Sequence, residues 1–131
     1  MIGVDLDKDR EMLERAYDDA GGATARFELN LLGRINRELD ADFDELAWDY
    51  RARYDSQKRC VEMALVSCKP QRVRIADVQF EFDEGAHIIT ERAYKYSVDS
   101  FRALAGESGW SPEALWTDSR QLFSVQFFSA V

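Results

Sequence analysis

Apolar residues recur at three- and four-residue steps in the first third of the chain and at two-residue steps through its middle, so helices are expected to give way to a sheet. Ile2-Gly3-Val4-Asp5-Leu6 reads as the end of a buried strand running into an acidic loop. From Asp7 onward, Met12, Leu13, Ala16, Tyr17 and Ala20 share one helix face, and Gly21-Gly22 is expected to end that helix, because glycine takes the left-handed cap conformation without a Cβ clash. A second helix is predicted from Thr24 to Leu39 on the ladder Phe27, Leu31, Ile35 and Leu39. Leu29 and Leu32 widen its stripe, so it should be well buried. A third is predicted to begin near Asp42, three residues before Glu45 in a capping-box spacing, with Phe43, Leu46, Ala47, Tyr50 and Tyr54 on its face.

The period then becomes two. In Arg59–Ser67, Val61, Met63 and Leu65 alternate with Cys60, Glu62 and Ala64, the pattern of a half-buried strand. Lys69-Pro70-Gln71 is a turn, since proline fixes φ and donates no hydrogen bond. Val73 and Ile75 open the next strand, and Val78, Phe80 and Phe82 continue with the opposite parity. That slip requires a tight turn or bulge at Ala76-Asp77. Asp83-Glu84-Gly85 is a further turn before a short strand at His87–Thr90. Ser97 caps a helix carrying Val98, Phe101, Leu104 and Ala105, stopped by Gly106 and Gly109. Ala114–Trp116 and Leu122–Phe128 read as closing strands, the latter with Phe123, Val125 and Phe127 on one face.

Composition narrows the function classes. The 131 residues suit one domain, and sixteen aromatics are too many for a disordered chain. No stretch approaches the roughly 18 apolar residues of a membrane span, and the N-terminus lacks the basic and apolar regions of a secretory signal, so a cytoplasmic protein is expected. Twenty-five acidic against 17 basic side chains, interleaved, argue against nucleic acid, whose phosphates require clustered cations. Cys60 and Cys68 would lie about 26 Å apart along an extended run, at 3.3 Å per residue, and His87 is the sole histidine. A Cys/His metal centre is therefore not expected, and no Gly-x-Ser-x-Gly elbow accompanies His87. None of the seven glycines forms a phosphate- or nucleoside-cradling loop.

Three stretches carry more specific information. They are Ile2–Asp9 with Ala16-Tyr17-Asp18-Asp19; Thr24–Phe27 with Asn30-Leu31-Leu32 and Arg34–Leu39; and Thr90–Tyr96 with Trp116-Thr117-Asp118 and Leu122–Val125. In order and spacing they resemble the histidine-specific methyltransferases that use S-adenosylmethionine, the histidine Nα-methyltransferases of ergothioneine biosynthesis. The resemblance runs from the first residues to the last, but it covers only the later portion of that much longer family.

The resemblance implies a mixed α/β fold: the C-terminal part of a Rossmann-like class I methyltransferase with a helical and antiparallel-sheet substrate-binding insertion. About 8–96 would be the insertion, and about 97–131 the C-terminal helix and strands of the methyltransferase sheet. It implies S-adenosylmethionine as cofactor of the complete enzyme, with the residues that hold it outside this chain, which alone would be inactive. The implied substrate is an amino acid, histidine or a relative. Tyr17 matches a tyrosine that contacts the bound histidine, Met63 a methionine that shapes the pocket around its ring, and Glu91 the acid that accepts a hydrogen bond from the imidazole. Ala93 stands where the family usually has serine, which removes one hydroxyl from ring recognition. Glu91 would be a recognition residue rather than a base, and no catalytic residue is assigned.

Taken without the resemblance, Tyr17 reads as a core tyrosine, Met63 as gap filling and Glu91 as a strand-end charge or the partner of Arg92 or Lys95. Tyr94, Lys95 and Tyr96 read as packing and surface. The alternative function is a non-catalytic small-ligand or protein-binding module derived from the same half-fold. Terminal strands ending in Phe127-Phe128 are expected to leave an uncovered apolar face or edge that favours self-association.

Overall fold

Two sheets and a hairpin carry the chain, joined through a single crossing point. The computed structural model describes residues 1–131. In order, its elements are β1 (Ile2–Asp5), α1 (Arg10–Tyr17), α2 (Ala23–Glu38), a 3-10 turn (Glu45–Ala47), β2 (Trp48–Asp55), β3 (Cys60–Ser67), β4 (Gln71–Ile75), β5 (Val78–Phe82), β6 (His87–Tyr94), α3 (Val98–Glu107), β7 (Trp110–Thr117) and β8 (Phe123–Ala130). The strands form the antiparallel sheets β2-β3-β6 and β1-β8-β7 and the hairpin β4-β5. The mixed α/β composition agrees with the expectation from the sequence.

The helices differ from expectation in extent and in facing. α1 begins later than Asp7, because the Asp9 carboxylate accepts from the Glu11 and Met12 amides and so fixes the start. It ends at Tyr17, before Gly21-Gly22. That pair instead leads into α2, Gly22 holding φ +64° while the Asp19 carboxylate accepts from the Ala23 and Thr24 amides at 2.9 Å. α2 nearly matches its predicted span, yet its ladder faces the wrong way: Phe27 is 72% exposed and Leu39 is exposed, while Leu32 is fully buried. Leu32, with Leu29 and Ile35, meets Phe43, Trp48, Leu65 and Val73 in the main core.

The predicted third helix does not form. Its residues divide between a 3-10 turn and β2, which pairs residue for residue with β3 from Trp48↔Ser67 to Asp55↔Cys60. Asp42 does not cap a helix; its carboxylate accepts from the Arg74 amide, and the Asn36 side chain brackets the Phe43 backbone with two hydrogen bonds. The Ala76-Asp77 turn is present, closing β4 onto β5 with Ala76 at φ +49°. The strand expected at His87–Thr90 continues to Tyr94.

The chain leaves the β1-β8-β7 sheet at Leu6 and returns beside it at Tyr96, where the two residues bridge in parallel and the Asp7 amide donates to the Tyr96 carbonyl. α3 covers one face of this sheet, Phe101 packing on Phe128 and Tyr96. Alternate residues point the opposite way, so Phe123, Phe127 and Trp116 lie on the uncovered face, 45%, 45% and 55% exposed. Gly3 permits this arrangement, since a Cβ there would lie 2.6 Å from the Phe123 ring that crosses β1. No helix is long and apolar enough to cross a membrane.

Candidate functional site

Ladder register places the sequence-predicted residues on one face of the β2-β3-β6 sheet. Met63 lies opposite Ala52 on β2 and opposite Glu91 on β6, while Val61 lies between Tyr54 and Ala93. Residues directly opposite in a ladder share a face, so Met63, Glu91 and Ala93 form one surface. Tyr17, the last residue of α1, packs onto the cluster of Leu13, Tyr54 and Val61 beside Ala52. The four residues, distant in sequence, thus converge on the helix side of this sheet.

Glu91 reaches that face through a bulge. Ile88 and Ile89 pair with Leu65 and Ala64, after which the register shifts and Glu91, not Thr90, stands opposite Met63. Thr90 is the extra residue, its hydroxyl donating to the Met63 carbonyl at 3.1 Å. Without the bulge Glu91 would point to the far side, a re-aiming that bulges often provide beside functional sites. Met63 is buried, 2% exposed, whereas its ladder partner Glu91 is exposed. The Glu91 carboxylate has no cation in ion-pair contact; the adjacent Arg92 instead pairs with Glu62.

Three residues join the site that the sequence had not singled out. The Tyr50 hydroxyl donates to the Tyr17 carbonyl at 2.9 Å. Burial, followed by the nearby carboxylates of Glu28, Asp18, Glu91 and Asp19, raises the Tyr50 phenol well above its ordinary value. Glu28 is itself buried on α2 and lacks any hydrogen-bonding side chain. Asp19, whose carboxylate accepts from the first amides of α2, is held down to about 2 by the Thr24 and Ala23 amides. Lys95, expected at the surface, is 3% exposed. Its ammonium lies 2.8 Å from Asp5 Oδ2 and donates to the Tyr17 hydroxyl at 2.6 Å.

Other candidates lie elsewhere. His87 pairs with Val66 and lines a shallow groove with Arg51 and Arg53 on the opposite side of the sheet from Met63. Cys60, the first residue of β3, is a buried free thiol pushed up chiefly by burial, while Cys68, just past the strand, is an exposed free thiol.

Comparison with known proteins identifies the family. Residues 1–130 match the family described as "Histidine-specific methyltransferase, SAM-dependent". The chain is 42% identical over 127 residues to a histidine N-alpha-methyltransferase of Mycobacterium tuberculosis, covering 95% of this chain and 40% of that protein. It is 40% identical over 120 residues to the Mycolicibacterium smegmatis protein of the same name, covering 90% of this chain and 37% of that one. It is 28% identical over 105 residues to ergothioneine biosynthesis protein 1 of Schizosaccharomyces pombe, covering 79% of this chain and 14% of that protein. The chain therefore spans about two fifths of the length of the two mycobacterial relatives.

Proposed function

Because the chain belongs to the SAM-dependent histidine-specific methyltransferase family, we propose that it forms the substrate-binding and C-terminal portion of a histidine Nα-methyltransferase-like enzyme. In this reading residues 8–96 are the insertion that grips the amino acid. Residues 97–131, together with β1, belong to a Rossmann-like sheet completed by segments outside this chain. The observation that supports it best is the Met63–Glu91 row beside Tyr17, an exposed acid paired across the ladder with a buried thioether, with Tyr17 hydrogen-bonded to Tyr50 nearby.

The residues present do not suit S-adenosylmethionine. The apolar cleft of about 350 Å³ between α3 and β1 is lined by Met1, Ile2, Phe101, Leu104, Trp110 and Phe128, and Ser108 is its one polar residue. It lacks partners for a ribose and an amino-acid head group, and Gly3 lies under the Phe123 ring rather than in an open backbone cradle.

What the chain supplies is recognition and orientation. Glu91 accepts a hydrogen bond from the imidazole, Met63 packs under the ring and Tyr17 contacts the remainder of the amino acid. An ammonium has no lone pair, so the substrate amine must lose its proton before it attacks. Holding the ring end fixes where that amine lies, and positioning of this kind contributes much of the rate in a two-substrate transfer. Glu91 serves as a grip, not a base.

Calorimetry of the chain should show heat with L-histidine that Glu91→Ala removes, and none with S-adenosylmethionine. Adding the cofactor-binding portion of a mycobacterial relative should restore methyl transfer. Tight S-adenosylmethionine binding by the chain alone would overturn the reading. Histidine binding with no transfer in the reconstituted mixture would favour a binding module.

A further inference from the structure

Lys95 is a buried ammonium that the roles proposed above do not use. It lies just past β6, at the same parity as Glu91 and Ala93, so one strand carries the ring-recognising acid and delivers this cation to the same face. Its backbone amide donates to the Arg59 carbonyl at 2.7 Å, which fixes the root of the side chain. The ammonium is 2.8 Å from Asp5 at the end of β1, 2.6 Å from the Tyr17 hydroxyl and 4.5 Å from the centre of the Tyr17 ring. Asp5 also holds Lys8.

We propose that Lys95, anchored on Asp5, is the positioning residue for Tyr17. Its ammonium fixes the phenol against strand β1 and leaves the hydroxyl proton to donate to the bound amino acid. The chemistry is directional. A protonated lysine only donates, so the Tyr17 oxygen is the acceptor of this bond and its own proton stays available for a substrate oxygen or nitrogen. The backbone of Tyr17 is held independently, by the Tyr50 hydroxyl on its carbonyl at 2.9 Å. Tyr17 thus has its main chain tied to the β2-β3-β6 sheet and its side chain tied to β1 of the other sheet. Burying an ammonium is costly unless it is paired, and Asp5 alone already provides that pairing. The added short bond to the tip of a helix-terminal tyrosine is what a purely structural ion pair would not require.

The inference rests on the proposed role of Tyr17 in binding an amino acid, and its test separates the two. In the ligand-free chain, NMR of labelled tyrosine should show Tyr17 in one χ1 rotamer in wild type and averaging over rotamers in Lys95→Met, with β2 and β3 amide shifts unchanged. The pair Asp5→Asn with Lys95→Met removes both charges together and serves if the single variant unfolds. A Tyr17 that stays fixed in these variants overturns the proposal. In titrations with L-histidine, Lys95→Met and Tyr17→Phe should each raise the dissociation constant at least fivefold, and the double variant should be within twofold of either single one. Additive losses, or a Lys95→Met affinity equal to wild type, also overturn it. A wild-type chain indifferent to histidine would refute the histidine reading, while Tyr17 mobility would still decide the role of Lys95.

Discussion

Ala93 lies two ladder pairs beyond Glu91, opposite Val61, on the face that carries Met63. Restoring a hydroxyl there with Ala93→Ser should strengthen histidine binding by about 1 kcal/mol, roughly fivefold, the net value of one hydrogen bond, as read by calorimetry. An unchanged or weaker affinity would count against a ring subsite at this position. Lys95 makes a second prediction. Burial by itself would lower its pKa, but the hydrogen bonds it donates to Asp5 and Tyr17 outweigh that and hold it above the usual lysine value. Burial and the bond to Asp7 likewise push the Tyr54 phenol up to about 12. Both groups keep their protons to higher pH in the fold than in the unfolded chain. Their contribution is therefore complete below about pH 10 and is lost as pH rises through the folded values. The urea midpoint should stay level to about pH 9.5 and then fall, with a shallower fall in Lys95→Met. Tyr17, Met63 and Glu91 were picked out from motif order alone. Lys95 was not, because its partner Asp5 lies at the far end of the sequence and no local pattern marks a buried lysine.

The misread third helix shows why local periodicity is ambiguous. Tyr50 and Tyr54 are four residues apart, and a spacing of four keeps side chains on one face both in a helix and in a strand. What distinguishes them is the intervening pattern: Trp48, Tyr50, Ala52 and Tyr54 alternate with Asp49, Arg51, Arg53 and Asp55, a strict period of two. The aromatic content also favours a strand. The decisive factor is β3, whose eight residues pair completely with β2. The bulge at Thr90 was beyond the sequence for a related reason, since a bulge exists only relative to a partner strand. The start of α3 was read correctly because its signal is local, although the helix runs through Gly106 to Glu107 before Gly109 turns the chain. The Ser97 hydroxyl accepts from the Ser100 amide and the Ser100 hydroxyl accepts from the Ser97 amide. Ser97→Ala should therefore destabilise the protein by about 1 kcal/mol in urea unfolding, while Ser97→Asp should retain most of the stability.

At the level of the whole molecule, two apolar surfaces have no covering element: the ladder Phe27-Leu31-Leu39 of α2 and the Phe123-Phe127-Trp116 face of the β1-β8-β7 sheet. Contiguous exposed aromatic surface of this kind promotes association. Light scattering of the isolated chain should show concentration-dependent self-association that Phe123→Ser with Phe127→Ser reduces. A monomer at high concentration would refute this. The net charge of −8 opposes such contacts, so added salt should strengthen them. The element types other than that of β2, the Ala76-Asp77 hairpin, the Ser97 cap and the family motifs follow from the chain's linear order, because each depends on residues a few positions apart. Which side of α2 turns inward, how Glu91 comes to stand over Met63, and why a lysine is sequestered beneath Tyr17 follow from the folded arrangement. They depend on ladder register and on the meeting of β1 with β6, contacts between residues whose separation along the chain leaves no periodic trace.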